Sequence, residues 1–234
     1  MCRVPKGVLS MSRVLPIEIA DQETWPFEIR DFADDVRLRY RTFDDVCVYD
    51  REICDQLCKK YSYLLYHYTK EAVDVKYKEV GLRCLERISH INEFFDRHGD
   101  RFTAVERDRM RVVLQSLSCK QHDREGRIYF TIPRIDSAKD GSICDLVSYF
   151  GGESIYWAFK RGVARVAVDF AIGEKLRHIG KGCEIAFVAP SKWIAHGCIG
   201  DSILKRAFNE QFGIDGSVNH DIPPEFIRGM RYFD

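Results

Sequence analysis

Tyr63-Leu64-Leu65-Tyr66-His67-Tyr68 is an aromatic-rich run that reads as a buried strand, since such side chains fit a pleated, packed surface. Directly after it, Thr69 is placed to cap a helix whose Val73, Tyr77 and Val80 share one face, and Gly81 is the expected stop. A second decisive stretch is Gly182-Cys183-Glu184-Ile185-Ala186-Phe187-Val188-Ala189-Pro190, a strand over 183–188 bounded by Gly180, Gly182 and Pro190. Between the two, Arg127-Ile128-Tyr129-Phe130-Thr131-Ile132 reads as a strand. Residues 163–170 read as another, with Val166, Val168 and Phe170 on one face.

Upstream, Val36-Arg37-Leu38-Arg39-Tyr40-Arg41 alternates apolar and basic residues, the period-two signature of a half-buried strand. Asp50 is placed to cap a helix running to about Tyr61, with Ile53, Leu57 and Tyr61 inward. Thr103 and Glu106 form a capping box, and Met110, Val113, Leu114 and Leu117 would face the core behind it. Residues 1–30 are irregular and punctuated by Pro5, Pro16 and Pro26. Helices come mostly early and strands mostly late, so the expected class is α+β. The expected division is a lead-in over 1–45 carrying one strand, then a domain over 46–234.

Composition narrows the function classes. Thirty-six Lys and Arg balance thirty-six Asp and Glu, and 45% of the 234 residues are hydrophobic. That balance excludes a disordered tail and tells against a sequence-blind basic coat on nucleic acid. No apolar run reaches the roughly 18 residues of a membrane span, and no secretory leader is apparent. The nine cysteines are odd in number and lack any C-x-x-C; Cys119 stands three residues before His122 without a matching pair elsewhere. They read as free thiols in a reducing compartment, which sets the expected location as cytoplasmic, with no metal site.

Phosphate-loop, dinucleotide-fold, zinc-peptidase and nucleophile-elbow motifs are absent from the sequence. What remains is a set of polar groups lodged in apolar strands: His67, Tyr129 and Glu184. A carboxylate inside a buried strand costs several kcal/mol in desolvation unless it is paired or used, which makes it a functional candidate.

Three segments carry a resemblance: Leu65-Tyr66-His67-Tyr68-Thr69 with Gly81-Leu82, then Gly126-Arg127-Ile128-Tyr129-Phe130, then the Glu184 strand. Together they resemble the His–Tyr–Glu signature of the ADP-ribosyltransferase fold, as found in DarT-type toxins and poly(ADP-ribose) polymerases. The resemblance implies a split, twisted β-sheet holding NAD+ as co-substrate. It implies that His67 bonds the adenosine-side ribose, that Thr69 supports the backbone beside it, and that the Tyr68 backbone holds the nicotinamide amide. It further implies Gly81 among the cofactor-binding residues, Tyr129 stacked on the nicotinamide ring and Glu184 on the nicotinamide ribose. The glycine that follows the histidine in the polymerases is replaced here by Tyr68. Gly182, two residues before Glu184, departs from the arginine-modifying pattern and from protein-arginine modification with it.

The implied activity is single ADP-ribose transfer to a macromolecule (RNA, DNA or protein), as in a bacterial toxin or phage-defence effector opposed by a neutralising antitoxin protein. NAD+ hydrolysis on the same scaffold and a non-catalytic binding module are the alternatives. Glu153, behind the Gly151-Gly152 pair, is the second candidate acid. Arg37, Arg39 and Arg41, with Tyr149 and Trp157, are the candidate acceptor-binding residues.

Overall fold

The computed structural model describes residues 15–72, 76–84, 87–116, 126–135, 147, 167–196, 199–210 and 214–233. Among them are helices α1 (Phe27–Arg39), α2 (Val48–Cys58), α3 (Tyr77–Val80), α4 (Arg87–His98), α5 (Ala104–Ser116), α6 (Ala167–Arg177) and α7 (Ile199–Ala207). The strands are β1 (Ser62–Glu71), β2 (Ile128–Ile132), β3 (Lys181–Pro190), β4 (Ile194–His196), β5 (Ile214–Val218) and β6 (Ile227–Tyr232). They form one open sheet in the order β4-β5-β2-β1-β3-β6, antiparallel at every pairing. The fold is mixed α and β, with five of the seven helices ahead of β2.

β1 and β3 form the longest pairing of the sheet, registered without interruption from Ser62 opposite Pro190 to Glu71 opposite Lys181. Their alternation sorts side chains onto two faces. Tyr63 and Leu65 from β1, with Cys183, Ile185, Phe187 and Ala189 from β3, enter the main core. Ile29, Ala33 and Val36 of α1, Cys54 and Cys58 of α2, and Ile203 and Leu204 of α7 complete it. The opposite face carries a smaller cluster of Tyr66, Tyr68 and Val147.

Residues 36–41 are not a strand. Ile29, Ala33 and Val36 make a buried stripe at helical spacing on α1, whereas Leu38 is 88% exposed. The two-residue alternation was a local coincidence inside a longer helical period. Nor do the described residues of 163–170 form a strand: residues 167–170 open α6, which buries Asp169, Ile172, Gly173 and Leu176 and leaves Phe170 exposed. Thr69 does not cap a helix but lies within β1, which continues to Glu71. The short α3 ends at Gly81, whose φ of 78° carries the chain into the left-handed region. There a Cβ would collide with the backbone carbonyl of Ile222. The capping box stands: Thr103 N–H donates to Glu106 at 2.7 Å and Glu106 N–H to Thr103 Oγ1 at 3.2 Å.

The described part of the lead-in shares the core of the rest of the chain. Ile17 bridges to β1 through its N–H to the Ser62 carbonyl, and it is buried with Ile19 and Trp25. Asp50 is not a cap either; it is the third residue of α2 and ties α1 to it. The Arg39 guanidinium donates to both its oxygens at 2.7 and 3.1 Å, and the Tyr40 hydroxyl donates at 2.8 Å. The Arg39 bonds hold the Asp50 carboxyl below its ordinary value of 3.8. A depressed carboxyl stabilises the fold above its unfolded pKa, and that contribution drains away as pH falls through the folded value. Thermal unfolding followed across pH should therefore show an acid limb below about pH 4 that Asp50→Asn flattens. An unchanged limb in that variant would mean that other carboxylates carry the acid sensitivity.

Candidate functional site

Strand register decides which polar side chains meet. β1 and β3 pair Tyr68 with Glu184, β3 and β6 pair Glu184 with Arg231, and β2 and β5 pair Tyr129 with Ser217. β1 and β2 pair Tyr66 with Thr131, and two residues further along this antiparallel ladder Tyr68 comes opposite Tyr129. Ser217, Tyr129, Tyr68, Glu184 and Arg231 therefore form one row across five strands on one face of the sheet. Tyr129 and Glu184 stand two strand spacings apart, roughly 10 Å.

His67 is in the neighbouring row, opposite Ile185, and so belongs to the other face. Its Nδ1 lies 2.7 Å from the Tyr129 carbonyl oxygen, which can only accept, so the proton sits on Nδ1. Desolvation lowers its pKa below 6.5, which favours the neutral ring. The imidazole thus links β1 to β2 where their registered pairing is a single residue pair. Thr69 shares that reverse face, opposite Cys183. The register unites Tyr129 with Glu184 and separates His67 from both.

Glu184 is the buried charge of the row, 2% exposed. Arg134, two residues beyond β2, grips it as a fork: Nε to Oε2 at 2.9 Å and Nη2 to Oε1 at 2.6 Å. Arg231 Nη2 reaches Oε2 at 3.2 Å, and the Tyr68 hydroxyl lies at the same distance. The Tyr68 hydroxyl also accepts the Ile135 N–H at 2.8 Å, which ties the segment after β2 onto the row. Burial pushes the Tyr68 phenol up to about 12, so it remains a donor. The carboxylate beside Arg134 raises that guanidinium's pKa further.

Two buried groups on this face had no place in the sequence reading. Lys70 is 5% exposed; its Nζ donates to the Arg177 carbonyl at the end of α6 at 2.6 Å, and burial lowers its pKa to about 8. Ser217 is fully buried, and its hydroxyl has no hydrogen-bond partner among the described residues. Arg134 and Arg231 were also missed. Ile227-Arg228-Gly229-Met230-Arg231-Tyr232 breaks its alternation at Gly229, where the register against β3 shifts, so no strand period singled out Arg231. Arg134 lies outside any strand pattern, so only its position in space reveals it.

The proposed acceptor residues scatter. Arg37 and Arg41 are exposed on and just after α1, and Arg39 is taken up by Asp35 and Asp50. No arginine row exists there, because a helix turns successive odd positions to different sides. Tyr149, Glu153 and Trp157 lie outside the described residues. Among the described residues no cluster of three or more His, Cys, Asp or Glu side chains is arranged to hold a metal ion, and no helix is long and apolar enough to cross a membrane.

Compared with protein-family models, with curated proteins and with solved structures, the chain matches none in any of the three.

Proposed function

We propose that the chain is an NAD+-dependent mono-ADP-ribosyltransferase, acting in the cytoplasm on RNA, DNA or protein and working from the face that bears Tyr68, Tyr129 and Glu184. The observation that carries the reading is the shared row: the tyrosine and the carboxylate of the resemblance face the same way, two strands apart. NAD+ would supply an activated ribosyl bond whose cleavage builds positive charge on the ribose, as in glycoside hydrolysis. A carboxylate fixed in an enclosed site stabilises that charge without reorganising. Tyr129, half-buried on the same face, offers ring surface suited to a flat heteroaromatic group. His67 takes a different part from the one the resemblance implied: it holds the two central strands in register from behind.

One observation favours a second reading, a binding module without catalysis. Glu184 is already paired with Arg134 and Arg231 and bonded to Tyr68, as a purely structural buried ion pair would be.

Incubating the full chain with NAD+ labelled in the adenylate, together with RNA, DNA or lysate protein, separates these. Label retained on one acceptor class is the expected result and identifies the acceptor. Nicotinamide release without retained label would make the chain a hydrolase. Neither label transfer nor nicotinamide release with any acceptor would favour the binding module. If transfer is seen, a toxin role with a neutralising partner is checked by whether expression arrests growth.

A further inference from the structure

The ion pairs at Glu184 are enclosed on the carboxylate side and exposed on the cation side. Two cations converge on one carboxylate, and the exposure is lopsided. The Glu184 side chain is 3% exposed, while those of Arg134 and Arg231 are 46% and 45% exposed. A guanidinium has five N–H donors in a fixed fork. Arg134 spends two on Glu184 and Arg231 spends one. Among the described residues no acceptor is found for their other N–H groups, and both arginine side chains stay nearly half exposed while the carboxylate is enclosed. Arg231 is steadied by the Phe233 ring, 5.3 Å beneath it. Glu18, a second carboxylate near this rim, accepts the Tyr66 hydroxyl at 2.8 Å.

From this we infer that Arg134 and Arg231 form an anion-operated latch on Glu184, in which a diphosphate group and the carboxylate compete for the same two guanidinium groups. A diphosphate presents several oxygens to two forks at once, whereas the carboxylate presents two. In the empty state the arginines hold Glu184 neutralised and turned away from other work. When a diphosphate draws them outward, the carboxylate keeps only the Tyr68 hydroxyl and is left as an unneutralised charge in an enclosed site, where it favours a neighbouring cation. The diphosphate site stands by itself; the latch's meaning for catalysis rests on the NAD+ reading above. In that setting the diphosphate of the bound dinucleotide would unlock the group needed at its own ribose, and the empty protein would be idle.

Competition makes a prediction of unusual sign. Inorganic pyrophosphate titrated calorimetrically into the full chain, at fixed ionic strength, should bind. Arg134→Gln and Arg231→Gln should each weaken binding by about tenfold or more, the scale of a lost charge-assisted bond. Glu184→Gln should tighten it by about tenfold, because the competing charge is gone. Arg101→Gln, at an exposed arginine elsewhere, should leave it unchanged. The Arg134 Nε–H resonance, which reports the contact with Glu184, should shift on saturation with pyrophosphate in the native chain, so the test does not depend on any variant folding. No binding at millimolar pyrophosphate, an unmoved Arg134 signal, or a folded Glu184→Gln that binds no more tightly would each overturn the latch. So would a short RNA oligonucleotide that binds there when pyrophosphate does not. Pyrophosphate binding with the expected signs but no nicotinamide released from NAD+ would uphold the latch and refute the NAD+ reading alone.

Discussion

Glu184→Gln is expected to lower nicotinamide release from NAD+ by about 100-fold or more, the scale seen when one preorganised electrostatic group is taken from a developing charge. The substitution keeps the volume, removes the charge and turns one of the two acceptor oxygens into a donor. The amide oxygen still accepts from Arg134, whose side chain is nearly half exposed, so the fold should survive. Nicotinamide release measured under single-turnover conditions isolates the bond-breaking step from product departure. Turnover equal to the native chain would remove Glu184 from the chemistry. In that case the second candidate acid, Glu153, would be the next residue to replace.

The largest effect on stability is expected at Phe187. It is fully buried in β3, opposite Leu65 and next to the register shift toward β6. Phe187→Ala removes most of an aromatic side chain from the middle of the core and leaves a cavity, at a cost of about 3–5 kcal/mol. In a chain of this size each kcal/mol moves Tm by about 2–4 °C, so a fall of roughly 10 °C is expected. Leu38→Ala provides the contrast. That leucine is 88% exposed on α1, and its loss should change stability by less than about 0.5 kcal/mol. Similar Tm values for the two variants would mean that the sheet face does not pack as described.

Legibility in the sequence followed the length over which a pattern was sustained. The β1 and β3 runs were readable because each is a largely apolar or aromatic stretch bounded by turn or polar residues. The capping box before α5 was readable because its chemistry is local, two side chains and two N–H groups within four residues. Residues 36–41 misled because six residues fit two periods, and the deciding partners, Ile29 and Ala33, lie upstream of the window. Thr69 misled because a threonine that can cap a helix is equally at home in a strand, and β1 already had β3 beside it to continue pairing. Asp50 looked like a cap for the same local reason. Its true partners, Arg39 and Tyr40, come from a different helix and from the turn after it.

The sequence alone determined that this is a mixed α and β chain, that β1 and β3 are buried strands, and that a carboxylate sits inside one of them. Those are properties of composition and period, set by each segment's own side chains. Tertiary structure alone decided which polar groups share a face. In a strand, a shift of one residue sends a side chain to the opposite side of the sheet, and no segment encodes its register against a partner more than a hundred residues away. The pairing of Tyr68 with Glu184 therefore moved His67 behind the sheet, aligned Tyr129 with the carboxylate, and brought Arg134 and Arg231 to it from outside every motif.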